Sequence, residues 1–347
     1  MTLLTIDWGL VIEKLVLIAI IITASLVIAM YATYGERKVA AWMQDRRGPN
    51  RAGPFGLLQP LADGLKLFFK EEIIPNTSNK LLFILGPSLA MLTAMMTCAV
   101  VPWGDHIELF DRKINLQIAD INVAILYIFA VVSLGVYGIM IGGWASNNKF
   151  SLMAAMRGAS QVISYELPMG LSLIALLMIT GSLSLREMVD TQIAGHWNIL
   201  YQPIGFLIFF VCALAECNRA PFDLPEAENE LNMGYHQEYS SMKLGFYLFA
   251  EYINMFISSA IMATLFFGGY DVPFLDESTL SPNIAAVIGI AAFLLKIFIF
   301  IFVFMWIRWT LPRFRYDQLM NLGWKGLIPL ALANLIITGA VVLYLQQ

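Results

Sequence analysis

Eight apolar runs divide the chain, near residues 11–34, 80–102, 121–144, 162–180, 201–217, 244–268, 283–307 and 326–345. Each is close to the roughly 20 helical residues that cross a hydrocarbon core. Backbone in lipid must satisfy its own polar groups, so such runs can only become helices packed side by side. The expected fold is an all-α integral membrane protein: one polytopic domain over 1–347 with eight transmembrane helices, both termini on one side. Composition agrees, at 59% hydrophobic and 13% charged residues with a mean hydropathy of +0.71. The first run lacks a small-residue cleavage site and exceeds a signal-peptide core, so it reads as a retained span.

Charge gives the orientation. Sixteen Lys and Arg fall at loops after spans 1, 3, 5 and 7, among them Arg37, Lys38, Arg46, Lys66, Arg219, Arg308, Arg313 and Arg315. Lys14, Arg112, Lys113 and Arg186 lie on the other side, and Lys296 falls inside span 7. The positive-inside rule then turns the basic face to the cytoplasm and both termini outward. A bacterial inner (plasma) membrane is the expected location, in preference to that of an organelle. The net charge of −4 does not point to a polyanion, and no nucleic-acid partner is expected.

One stretch breaks the basic pattern. "AECNRAPFDLPEAENELNMGYHQEYS", residues 215–240, carries Glu216, Asp223, Glu226, Glu228, Glu230 and Glu238, with Arg219 its only base. It fills the acidic loop 218–243 between spans 5 and 6. Phe222 after Pro221, and the alternation of apolar and acidic residues in "APFDLPEAE", suit packing against a surface better than free solvation. Carboxylates crowded at low dielectric cannot all ionise, and desolvation with repulsion raises some of their pKa values. Such a cluster takes up or releases a proton when nearby charge changes.

No redox centre is encoded. His106, His196 and His236 fall in loops, where they cannot form facing haem ligands within spans. Cys98, Cys212 and Cys217 make no CxxC pair, and they read as ordinary core positions. "GPNRAGPFG" lacks the strand and GK[ST] ending of a phosphate cradle, and "DLPEAENE" lacks the glycine and ligand spacing of a calcium loop. No metal site is expected.

The long loop 35–79 carries a different signal. From Leu57 to Phe69, helical spacing gathers Leu57, Leu58, Leu61, Leu65, Phe68 and Phe69 opposite Asp63, Lys66 and Lys70. This predicts an amphipathic helix over about 56–71, lying in the membrane interface. It serves either as a tether for the loop or as one wall of an entrance for a lipid-soluble substrate. Charges within spans are costly and usually face a cavity or a partner. Glu166 at the start of span 4, Glu216 at the end of span 5, Glu251 in span 6 and Lys296 in span 7 are the functional candidates; the plainer alternative is interhelical pairing or snorkelling to the inner interface.

Several long, ordered motifs carry a family resemblance: "ERKVAAWMQDRRGPNRAGPFGLLQPLADGLKLFFKEE" at 36–72, "RGASQVISYELP" at 157–168, "AECNRAPFDLPEAENEL" at 215–231, "EYSSMKLGFYLFAEY" at 238–252 and "WIRWTLPRFRYDQLM" at 306–320. The chain resembles the H-subunit family of NADH:quinone oxidoreductase, respiratory complex I. "LNMGYHQ", 231–237, departs most from the family pattern.

The resemblance implies a subunit that binds no cofactor itself and forms the membrane part of a quinone chamber. Its partners would be peripheral-arm subunits bearing FMN and iron–sulfur clusters, antiporter-like and small membrane subunits, quinone and lipid. Carried over by motif, Glu36, Arg37 and Lys38 cap the first span, and Arg46, Arg308, Arg313 and Arg315 lie at or near the chamber. Asp63 and Lys66 belong to the interfacial helix; Asp223, Glu238 and Tyr239 belong to the loop between spans 5 and 6. Glu166, Glu216, Glu226, Glu228, Glu230 and Glu251 match an acidic path towards pumping subunits. The implied function is to couple quinone reduction to proton translocation. Two alternatives stay open: the homologous subunit of a membrane-bound hydrogenase or a formate- or ferredoxin-linked complex, and a stand-alone ion transporter.

Overall fold

The structure, a computed structural model, describes residues 8–109, 112–273 and 281–345; the side chains of Leu109, Glu228 and Asn229 lie outside that description. The first apolar run becomes α1, Trp8–Met43. Its 36 residues rise about 54 Å, well beyond a hydrocarbon core of about 30 Å, so helix continues through Glu36, Arg37 and Lys38. After a turn at Pro54–Gly56 comes the amphipathic α2, Gln59–Phe69. Its apolar arc is uncovered, with Leu61, Leu65, Phe68 and Phe69 all exposed, as suits a helix lying against lipid.

α3 (Lys80–Thr97) starts at Asn79, whose side chain accepts from the Leu81 amide at 3.1 Å. It packs closely on α4 (Ala124–Ala145). Gly86 and Gly138 make this possible: a Cβ at Gly138 would stand 2.9 Å from the Ala90 nitrogen, and one at Gly86 2.9 Å from the Gly142 Cα. Between α3 and α4 two short strands, β1 (His106–Leu109) and β2 (Arg112–Asn115), form an antiparallel hairpin with Ile107 opposite Ile114. Four residues per strand are too few to show a period in the sequence. Asn283 fastens the hairpin through the Glu108 backbone, at 2.8 and 3.1 Å.

α5 (Lys149–Thr180) is longer than its apolar run. The Asn148 side chain caps it, accepting from Phe150 N at 3.0 Å, and helix carries on through the polar stretch around Arg157. Glu166, expected at the start of a span, therefore lies near the middle of a 32-residue helix. α6 (Leu185–Ala194) and α7 (Asn198–Tyr201) follow, then α8 (Pro203–Glu216). Pro203 at the first helical position opens α8, which at 14 residues rises only about 21 Å. The fifth apolar run is thus a short apolar helix, beside seven helices among the described residues that are long and apolar enough to cross a membrane.

The acid loop contains a single turn of helix, α9 (Glu228–Leu231), and leads to α10 (Ser241–Phe266). α10 is the hub, packing on α1, α2, α3, α6 and α8 and on α11 (Pro282–Thr310). Within its apolar window 72% is buried, against 22–50% for the other six long helices. α12 (Tyr316–Asn321) passes through a π-helical turn at Leu322–Leu327 into α13 (Ile328–Leu345), which packs on α5. Large apolar side chains such as Leu295, Ile336 and Leu343 point outward, the surface expected of a bundle solvated by lipid.

Candidate functional site

The acid loop does not float on the surface. Gln161, wholly buried on α5, donates its side-chain amide to the Ala215 and Phe222 carbonyls at 2.6 and 2.8 Å, and to the Asn218 side-chain oxygen at 3.3 Å. Phe222 meets the Tyr165 ring edge-on at 5.3 Å and the Phe314 ring at 5.6 Å. Arg313 donates to the Asp223 carbonyl at 2.5 Å. The alternation in the sequence is thereby realised: Phe222, Leu224, Ala227 and Leu231 are buried, while Asp223 and Glu226 keep partial access.

Glu36, 6% exposed, is held from three directions. Arg308 donates to one carboxylate oxygen at 2.5 Å, and Arg219 and the Tyr252 hydroxyl donate to the other at 3.1 and 2.7 Å. Arg219 also stacks 4.1 Å from the centre of the Tyr252 ring. Burial alone would lower this guanidinium's pKa; Tyr252, Glu36, Glu251 and Glu226 outweigh it and hold the group above its usual range. Its Nε and Nη2 atoms are buried without a hydrogen-bond partner. One positive charge thus interacts with both Glu36 and the Glu251–Glu226 pair.

Glu251, on α10, accepts from the Tyr235 hydroxyl at 3.3 Å and lies within hydrogen-bond reach of Glu226. A carboxyl pair can share a hydrogen bond only while it keeps a proton between its oxygens. Burial, then the charges of Glu251 and Glu226, push the Tyr235 phenol far above its ordinary range, so it stays a donor. Glu216, at the end of α8, has one oxygen buried without a partner and senses Glu166 electrostatically. Glu166 in turn accepts a hydrogen bond from Ser133 on α4.

Glu216 and Glu251 open on one internal cavity of about 80 Å³, enough for a few water molecules. Asn218, Tyr247, Asn254 and Ser258 supply further polar lining, and apolar residues of α3, α4, α5 and α10 enclose the rest. The arrangement can hold, release and pass protons in answer to a change of charge near Arg219. Among the described residues, no group of three His, Cys, Asp or Glu side chains is placed to hold a metal ion.

The family model for NADH dehydrogenase matches residues 15–339. The chain belongs to that family. It is 66% identical over 331 residues to an H subunit of NADH-quinone oxidoreductase from Cytophaga hutchinsonii, covering 95% of this chain and 97% of the relative. The H subunit of the Flavobacterium johnsoniae enzyme is 62% identical, with 96% of each chain covered. That of Thermomicrobium roseum is 48% identical, covering 97% of this chain and 98% of the relative.

In this member of the NADH dehydrogenase family, the expected site residues fall into two groups. Glu36 and Arg308 come together, as do Glu226 with Glu251 and Glu166 with Glu216. The others are dispersed. Arg37 pairs with Asp63 of α2 at 2.8 Å, joining α1 to the interfacial helix; Lys66 is on the same helix, and Lys38 stands 5.5 Å over the Tyr34 ring. Arg46 donates to Gln44 at 2.6 Å and Arg315 precedes α12, both exposed at the surface.

Glu230 pairs with Arg157 at 2.5 Å, and Glu238 accepts from Asn148 at 2.8 Å, so these two acids tie the loop to the first half of α5 and its cap. Glu228 begins α9, and its side chain lies outside the described set. Tyr239 is anchored: its ring stacks on Phe83 at 4.1 Å, its hydroxyl donates to the Gly142 carbonyl at 3.1 Å, and burial pushes its pKa up to about 12. Lys296, on α11, reaches the opposite end of α10, donating to the carbonyls of Phe267, Gly269 and Asp271.

Tyr235, Tyr252, Gln161, Ser133, Asn254 and Ser258 were not singled out by sequence. They are neutral side chains, and only proximity to an acid or base gives them a role. Tyr252 carried the one available hint, since it follows Glu251 directly in "AEY".

Proposed function

We propose that this chain is the membrane subunit through which a NADH:quinone oxidoreductase links quinone reduction to proton translocation. The supporting observation is Arg219: one buried cation that binds Glu36 on α1 and interacts with the Glu226–Glu251 pair beside the internal cavity. The names and extent of the relatives favour the quinone enzyme over a hydrogenase-type complex or a stand-alone carrier.

On this reading FMN and iron–sulfur clusters sit on partner subunits of a peripheral arm, which supplies the electrons. Quinone takes up two electrons and two protons to become quinol. α1, α2 and α10 frame its way in from lipid; α2 presents its uncovered apolar face there, and Asp63 with Arg37 secures it to α1. Proton uptake changes the charge that the chamber presents to Glu36, Arg219 and Arg308. The response passes to Glu226 and Glu251, then by the cavity to Glu216 and Glu166, and onward to antiporter-like partners. Arg313 holds the acid loop in register, with Asp223, Glu230, Glu238 and Tyr239 as its fastenings, and Glu228 belongs to the same loop. Basic residues such as Lys38, Arg46, Lys66 and Arg315 face the peripheral arm from the cytoplasmic side of a bacterial inner membrane.

The test is the purified complex in proteoliposomes. Glu251→Gln should assemble with its flavin and iron–sulfur partners, reduce quinone at least tenfold more slowly and acidify the lumen correspondingly less. Wild-type quinone reduction and pumping in that variant would refute the reading. A Glu251→Asp variant should recover part of both activities, which separates a proton role from packing.

A further inference from the structure

α1 and α3 both pack against α10 and leave a groove between them. Ile18 and Ile22 of α1 form one wall, Ser88, Met91, Leu92, Met95, Met96 and Ala99 the other, and Phe246 of α10 also lines it. The groove holds about 490 Å³. From Ser88 to Ala99 it follows three turns of helix, about 16 Å. Its single hydroxyl, on Ser88, already donates to the Ile84 carbonyl at 2.8 Å, and the Cys98 thiol in the lining meets Ser25 at 3.6 Å, so the side chains of the lining have little polar bonding to offer a peptide partner. Three methionines give a soft, adaptable surface suited to a flexible hydrocarbon chain.

The rim is charged. Lys14, Ile18 and Ile22 lie at successive four-residue steps, so they share one face of α1 with the lysine one turn beyond the groove. The Lys14 ammonium donates to the Gln117 carbonyl at 2.8 Å, next in sequence to Ile118 of the groove lining. Two of its three hydrogens remain available. Glu13 neighbours it in sequence, yet no carboxylate among the described residues forms an ion pair with Lys14. From Lys14 to Arg37 α1 rises about 34 Å, close to one hydrocarbon thickness. With Arg37 at one boundary of the bilayer, Lys14 stands at the other, at the depth of lipid phosphates.

We propose that this groove binds one glycerophospholipid from the leaflet at the N-terminal end of α1, an acyl chain lying between α1 and α3 and the phosphate bound by Lys14. A phosphate answers the lysine and a saturated chain answers the apolar walls. The bound lipid would brace α1, the helix that also carries Glu36. The site does not depend on the coupling role above and can fail or stand separately from it.

The test uses the whole purified complex in nanodiscs containing phosphatidylglycerol with a diazirine near one acyl terminus, and peptide mapping after illumination. Wild type should label within 88–99. Lys14→Gln should lower that labelling about tenfold, the loss of one charge-assisted contact, while Lys14→Arg retains it. Ala99→Phe should block labelling with Lys14 intact, and the α13 face around Leu343 should label equally in all variants as a control. Equal labelling of 88–99 in wild type and Lys14→Gln would overturn the proposal. So would displacement of the label by excess short-chain quinone, which would make the groove a quinone site. Absence of labelling there in the wild-type complex would overturn it too, showing that a partner helix covers the groove.

Discussion

The two ends of α10 bury charge in opposite ways. At the Phe267–Asp271 end, the Lys296 ammonium uses all three hydrogens on backbone carbonyls at 2.8, 2.9 and 2.6 Å, and its charge lies 4.6 Å from the Trp197 ring. Trp197 in turn donates to Asp271 at 2.7 Å. At the acid-loop end, Glu216 keeps a buried oxygen without a partner, Arg219 keeps two nitrogens so, and Glu226 and Glu251 meet each other with Arg219 as the base they share. A saturated charge has one arrangement available and acts as a structural pin. An unsaturated cluster has several arrangements of similar energy, and a nearby charge can choose among them. Both sites gather buried ionisable groups, and only the second is suited to switching.

Saturation, rather than position along α10, should therefore decide what a substitution does. The hardest test lies at the acid-loop end itself, because Glu36 is the acid there with its oxygens fully engaged. Glu36→Leu removes the acid that hydrogen-bonds both Arg219 and Arg308, and breaking a buried pair in this way costs about 3–5 kcal/mol. The variant complex should fail to accumulate or should melt far earlier in a thermal-shift assay. A stable, assembled Glu36→Leu complex would dissolve the distinction.

Next in size is Lys296→Met, which keeps length and removes every donor. Three orphaned carbonyls should cost about 3 kcal/mol or more, read as a lowered melting temperature, with turnover per assembled complex retained. Glu216→Gln should give the reverse pattern: a stability change below about 1 kcal/mol and quinone-coupled pumping down at least tenfold, since an unpaired oxygen has little binding to lose. The smallest effect belongs to Lys113→Gln in the hairpin, whose pair with Glu108 spans 3.6 Å between exposed side chains. It should alter neither melting nor turnover measurably.

Much of this architecture is legible in the sequence because lipid leaves the backbone few options. The long apolar runs become helices, and the leucine and phenylalanine arc over 57–69 is uncovered on α2. Boundaries are less legible, since helix continues into polar sequence wherever a cap lies further out; Asn148 extends α5 by about four turns and leaves Glu166 in mid-helix. The shortness of α8 comes from Pro203, which resets the chain after Asn198–Tyr201. Within the site, the acids announce themselves as charges in an oily chain. Their partners do not: Gln161 is one ordinary glutamine in "GASQVIS", and only the fold brings it to the start of the acid loop. Lys296 shows another side of this: it stands out in the sequence by its rarity, and the fold engages all three of its hydrogens on backbone carbonyls just beyond α10.

The central claim is that the Glu226–Glu251 pair changes its protonation when quinone is reduced. Infrared difference spectroscopy on the complex, with glutamate carboxyls isotopically labelled and quinone reduced in place, reads this directly. The expected result is a labelled protonated-carboxyl band that changes on reduction and is lost in Glu251→Gln. The same difference band in wild type and Glu251→Gln, or no carboxyl change on reduction at all, would contradict it.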